Sequence, residues 1–271
     1  MVWTADLLAG TPPLLVAAAS LPAALLAGLL LLAQKGGERP RVALAFALAW
    51  GATGAAFLAS VGNELVRERM AALAGEGTRE LTAVLAAPML EEGAKALGLV
   101  LLLAAGPAFL RGVRDGLVYG GLVGLGFVWT ENLLYLGVAM LQGGEAGLLR
   151  AVYLRGIVGA ATHVVFTAGS GAGIGWWASG RRARTVSWPW PLLALAAALA
   201  QHTAWNAFAA PAIAAALCGA PSADAACRDS PTMFALYGEG TAIAAAFLAP
   251  GLVLAMVAWR ASREQDKHPG A

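Results

Sequence analysis

Residues 81–105 read LTAVLAAPMLEEGAKALGLVLLLAA. The stretch is long and apolar enough to cross a hydrocarbon core of about 30 Å, which takes roughly 20 residues of helix. Yet Glu91, Glu92 and Lys95 stand near its middle. A charge at the centre of a membrane helix costs roughly 2.5–3.5 kcal/mol, whereas a leucine returns only about 0.3–0.6, so three of them demand a physical reason. Glu91 and Lys95 are four apart on one helical face and can pair, while Glu92 is turned about 100° away and needs a partner from another helix. Pro88 cannot donate to the Val84 carbonyl, which predicts a kink and a free acceptor just before the charges.

The rest of the chain agrees with a membrane reading. Of 271 residues, 59% are hydrophobic and 13% charged, against about 45–50% and about 25% in soluble domains. Mean hydropathy is +0.69. Apolar runs predict about seven transmembrane helices near 13–33, 42–62, 81–105, 116–139, 152–178, 190–213 and 235–258. No ten-residue alternation recurs, so a barrel is excluded and the fold class is all-α, a polytopic helix bundle forming one integral membrane domain over 1–271. The mixed stretch 64–80 reads as an interfacial segment turning at Gly75 to Gly77. With the N-terminus outside, the inner segments carry Lys35, Arg39, Arg41, Arg111, Arg114, Arg181, Arg182, Arg184, Arg260, Arg263 and Lys267. The outer ones carry Arg67, Arg69, Arg79, Arg150, Arg155 and Arg228. Positive charge inside therefore gives N-out and C-in, a multi-pass protein of the cell membrane. Cys218 and Cys227 then share an outer loop in which a disulfide can persist. A net charge of +2 without a basic, aromatic-interleaved patch argues against nucleic acid; the bilayer itself is the implied partner.

Three further spans carry polar groups. FVWTEN at 127–132 holds Phe127, Glu131 and Asn132; ATHVVFTAGS holds His163 and Thr167; QHTAWNAF holds His202 and Asn206. Counted at about 1.5 Å per residue from the outer ends, Glu91, Glu92, Glu131, His163 and His202 all lie roughly 12–17 Å deep. They share one layer. Gly116, Gly120 and Gly124 form a small-xxx-small row that lets the fourth helix approach a neighbour closely, and GSGAGIG at 169–175, with no strand before it, reads as helix packing rather than a phosphate loop. Asp115 and Glu239, near span ends, are expected to be solvated.

The ordered set EEGAK at 91–95, FVWTE at 127–131 followed by Asn132, and single histidines in the next two helices resembles the motifs of the PrsW family of intramembrane proteases, relatives of the CAAX-type prenyl endopeptidases. Lys95 and Glu131 place the likeness on the PrsW side, and it runs through 81–213, which makes that region the catalytic helix core. The resemblance implies cleavage of a membrane-anchored protein near its extracytoplasmic boundary, with anti-sigma factors as the known kind of substrate.

The chemistry stands without the name. Peptide hydrolysis needs an activated water, a stabiliser for the oxyanion and an acid for the leaving amine. Ser170 is the only serine near the layer and lacks a GxSxG elbow, both cysteines lie in the outer loop, and no aspartate pair occurs at this depth. In one mechanism Glu91 or Glu92 is the base, His163 or His202 with Asn206 holds the oxyanion, and Lys95, Phe127 and Asn132 support them, with no cofactor. In the other, His163, His202 and a carboxylate from Glu92 or Glu131 hold one divalent metal such as zinc, in the His₂Glu pattern. The competing classes are an ion- or proton-coupled transporter and a non-catalytic membrane scaffold.

Overall fold

The computed structural model describes residues 13–32, 39–106, 108–183 and 188–209 and the isolated positions 242, 245 and 249. Glu239 and the Cys218–Cys227 bridge lie outside the described residues, as does the span at 235–258 apart from those positions. The described chain is all-α, with no strand. It forms five continuous helical stretches, the fourth of them bent back on itself. We number the rods α1 (Pro13–Leu32), α2 (Arg41–Ala74), α3 (79–105), α4 (113–143), α5 (145–183) and α6 (189–209). Three stretches, Pro13–Leu32, Arg41–Ala74 and Val113–Gly180, are long and apolar enough to cross a membrane. Leu21, Leu25, Phe57 and Leu192 are among the large apolar side chains they and α6 leave on the outside, the surface a bilayer would solvate.

The reversal between α4 and α5 rests on Gly144, whose φ of 59° and ψ of −151° are closed to residues with a side chain. From that bend the two helices run back antiparallel in backbone contact. A Cβ on Gly116 would strike the Gly171 carbonyl, one on Gly120 the Thr167 carbonyl, one on Gly124 the His163 carbonyl, and one on Gly175 the Gly112 carbonyl. The glycine row read in the fourth span thus meets the glycine run of the fifth. On the other side of α4, Gly51 of α2 meets the Val123 carbonyl and Gly126 meets the Leu48 carbonyl. Trp50 fills the slot left by Gly98 of α3 and donates its indole N–H to the Ala94 carbonyl at 3.0 Å. Helix α4 is consequently the axis of the bundle, buried on nearly all sides from Val113 to Val128.

Two expectations fail here. α2 continues past residue 62, where its span was expected to end, and stops at Gly75 with φ 79°, where the turn was expected. The apolar positions Leu65 and Leu73 supply no stop signal, and Gly75 does. Asp115 is buried rather than solvated: Arg39 Nε lies 2.8 Å from Oδ1 and Arg111 Nε donates to Oδ2 at 2.9 Å. Sequence distance hid the Arg39 partner, which comes from the start of α2's approach to α4.

Among the described residues, four segments widen into π-helix: Gly51–Ala55, Thr82–Ala86, Val152–Gly159 and Trp205–Ala209. The second ends just before Pro88, so the wide turn absorbs the donor that proline cannot offer to Val84. Wide turns of this kind are frequent at functional sites. The last three line one cavity, and the first ends one residue before Ala56 on its wall.

Candidate active site

The cavity has a volume of about 840 Å³ and lies at the end of the bundle where α2 gives way to α3 and α4 to α5. Its wall includes Asn63 and Arg67 from α2, Thr82 and Glu91 from α3, Phe127, Glu131 and Tyr135 from α4, Arg155 and His163 from α5, and His202 and Asn206 from α6. Of the five residues expected to share a layer, Glu91, Glu131, His163 and His202 face this space, and Glu92 sits behind them.

Glu92 is fully buried, and both of its oxygens accept hydrogen bonds. Its Oε1 accepts from Lys95 Nζ at 2.7 Å and from His202 Nδ1 at 3.0 Å, and its Oε2 accepts from Thr167 Oγ1 at 3.2 Å. The partners on other helices that Glu92 required are therefore Thr167 and His202. The expected Glu91–Lys95 pair is the looser of the two, at 3.8 Å; spacings of three and four both put a carboxylate beside the ammonium, and the position of α6 decides between them. Lys95 is itself enclosed, 3.9 Å from the Phe127 ring centroid and 3.0 Å from His163 Nδ1.

These contacts fix the ring nitrogens. An ammonium can only donate, so His163 Nδ1 accepts and its Nε2 carries the proton, lying 3.4 Å from Glu131 Oε2. His202 donates through Nδ1 to Glu92, and in the neutral ring Nε2 is then an acceptor. That acceptor stands 3.7 Å from Glu91 Oε2, a buried oxygen with no hydrogen-bond partner among the described residues. Two lone pairs facing each other in a low-dielectric wall call for a proton, a water or a cation between them. The rings of His163 and His202 meet edge to face at 4.9 Å, and Phe166 stacks on His202 at 5.3 Å, so both are held rigidly.

Glu91, His163 and His202 each bring a ligand atom within 4.8 Å of the others. Two imidazoles and a carboxylate are the donor set of known zinc hydrolases, and His202 has the carboxylate behind it that metal-bound histidines usually have. The set fits a divalent cation, with Glu91 as the carboxylate in place of Glu92 or Glu131, on condition that Lys95 releases His163 Nδ1 so that Nε2 can give up its proton.

The supporting residues divide. Phe127 packs against His163 and under Lys95. Asn132 donates to the Arg155 carbonyl at 3.2 Å. Asn206, on the cavity wall, donates to the Ala83 carbonyl at 3.1 Å and thereby ties two of the π-helical segments together. Ser170 is buried, off the cavity wall and without a hydrogen-bond partner among the described residues, so it joins no nucleophilic arrangement. Arg155, which counted as a loop charge in the sequence, is the residue that reasoning missed. It lies on a π-helical turn and pairs with Glu131 at 2.7 Å. The signal available was an arginine just inside an otherwise apolar span.

No curated protein and no solved structure matches the chain. The model of the PrsW family of intramembrane metalloproteases matches residues 39–225, well over half of the 271 residues and the whole of the cavity wall, and the chain belongs to that family.

Proposed function

We propose that this protein is a multi-pass endopeptidase of the cell membrane, oriented N-out and C-in with about seven spans, and that it hydrolyses a peptide bond of a membrane-anchored protein of the anti-sigma-factor kind near the extracytoplasmic boundary. The observation that carries the reading is the convergence of Glu91 Oε2, a buried oxygen with no hydrogen-bond partner among the described residues, and His202 Nε2 on the wall of a cavity of about 840 Å³. Orientation and site agree, since the cavity lies at the end of the helices assigned to the outside.

Glu91, His163 and His202 would hold the divalent cation, which supplies Lewis acidity to a water and to the scissile carbonyl. Glu92 keeps His202 in the tautomer whose Nε2 faces the cavity, and Thr167 and Lys95 keep Glu92 in place. Glu131 is a further carboxylate on the wall: its Oε2 pairs with Arg155, leaving Oε1 to receive a proton from water. Phe127 packs against the His163 ring and Phe166 stacks on His202.

A second reading rests on one contact. Lys95 at 3.0 Å from His163 Nδ1 makes Nε2 a donor, and a donor facing the cavity suits an oxyanion better than a metal. Glu91, unpartnered at Oε2, is then the general base, and no metal takes part. Metal analysis of the purified full-length protein, run beside cleavage of a single-pass substrate in detergent, separates the two. Bound divalent metal, with cleavage lost on chelation and restored on its return, supports the first. Cleavage by metal-free protein supports the second. Absence of product fragments with every membrane-anchored substrate, under conditions where the fold is intact, sinks both.

A further inference from the structure

The Arg155 guanidinium lies on the cavity wall and reaches the chemistry only through Glu131. Three residues of one face of α4 hold it. Glu131 Oε2 accepts from Nη2 at 2.7 Å, the guanidinium lies 4.0 Å from the Tyr135 ring centroid, and Asn132 Nδ2 donates to the backbone carbonyl of Arg155 itself at 3.2 Å. The residue sits in the π-helical segment Val152–Gly159, so a widened turn of α5 presents it to α4.

A charged group just inside an apolar span, anchored by its side chain, its π-face contact and its own carbonyl, does more than neutralise a neighbour. Glu131 receives Arg155 and the His163 Nε2 contact on the same oxygen, Oε2. With that oxygen occupied from two sides, the carboxylate cannot rotate about its last bond without breaking an ion pair in a poorly solvated wall. Oε1 is left without a protein partner among the described residues, in a residue that lines the cavity.

We propose that Arg155 is a positioning residue for the protease reaction: it locks the Glu131 carboxylate so that Oε2 meets His163 and Oε1 is presented to the reacting water. The assignment rests on the protease reading above, and holds whether Glu131 receives the proton directly or orients His163. Arg155 acts through Glu131, and removing a partner that orients an active-site group typically costs about 10- to 100-fold in activity.

The test is a kinetic double-mutant cycle on the full-length protein in detergent with a single-pass substrate. Arg155→Ala lowers kcat by about 10- to 100-fold with KM within about twofold, and Arg155→Lys, which keeps the charge but not the planar fork, recovers part of the loss. Added to Glu131→Gln, Arg155→Ala costs little more, because the group it positions is already disabled. If Arg155→Ala does not fold, Arg155→Lys is carried through the same cycle. Additive losses, or a loss confined to KM, overturn the assignment and make Arg155 a structural or substrate-binding residue. A wild-type protein that cleaves nothing overturns the protease reading and this assignment with it, whereas a wild type that cleaves while Arg155 variants keep full kcat overturns the assignment alone.

Discussion

Along its first turns α4 lies backbone to backbone with α5, and about two turns further on the same two helices stand apart around a cavity. Over the first region Gly116, Gly120 and Gly124 face the carbonyls of Gly171, Thr167 and His163; over the second Glu131 and Tyr135 face Arg155 across a widened turn. Side-chain size decides the difference. Where glycines face each other there is no room for water or substrate, and where long polar side chains begin the helices must separate. The two regions are also joined mechanically, because the carbonyl that limits Gly124 belongs to His163. The glycine contact fixes how far His163 projects, and the separation beyond it gives the ring its space.

The most damaging change makes the close region resemble the open one. Gly120→Val places its Cβ inside the Thr167 carbonyl and, unlike a clash with a flexible side-chain tip, that obstacle is backbone. Overpacking of this kind costs typically about 1–3 kcal/mol and more where the obstacle cannot move. We expect loss of monodisperse protein on size exclusion, or a melting temperature several degrees lower, with loss of all site functions together. Retention of wild-type stability would mean that α4 and α5 do not touch along this row.

Much of this arrangement is legible in the sequence, and what is not has identifiable causes. The row at 116, 120 and 124 announces a close contact, because only small residues permit it, and the run at 169–175 announces a complementary one. Neither names its partner until the reversal at Gly144 sets the two antiparallel. The polar layer is legible through depth, since a common distance from the membrane boundary is a property of helix rise. Rotation about the helix axis is not legible in the same way. Glu91 and Glu92 are neighbours in sequence, but one faces the cavity and the other faces Thr167 and His202, and which is which depends on where α5 and α6 lie. Arg155 escaped for a related reason: a charge in the first turn of a span reads as a loop residue unless a partner such as Glu131 is seen opposite.

The adjacent glutamates divide in the same way inside the site, one open to the cavity and one enclosed. Glu91→Gln removes the cavity-wall carboxylate whose Oε2 has no hydrogen-bond partner among the described residues, and should reduce cleavage to background under either mechanism, with the fold intact. Glu92→Gln keeps an oxygen that can still accept from Lys95 and His202 but loses the charge that balances Lys95, and we expect a fall of about 10- to 100-fold, the usual range for a group that orients a reacting residue. Side-by-side cleavage rates at equal folded protein, with metal content measured on both, check the ranking. A Glu92 variant as dead as the Glu91 variant would move the reacting carboxylate to Glu92.

The smallest effect is expected at a glycine within the motif itself. Gly93 follows the two glutamates and precedes Lys95 by two residues, so proximity in sequence suggests that it matters as much as Gly120. The structure separates them: a Cβ on Gly93 meets nothing within 4 Å, on a face of α3 that the other described helices leave open. In the interior of a helix, alanine is favoured over glycine by roughly 0.5–1 kcal/mol because it loses less backbone freedom on folding. Gly93→Ala should therefore leave cleavage unchanged and raise the melting temperature slightly, if at all, while Gly120→Ala at the buried contact lowers it. A Gly93→Ala protein that folds normally but has lost activity would show that this face of α3 meets something during the reaction, and substrate entry against α3 would be the first place to look.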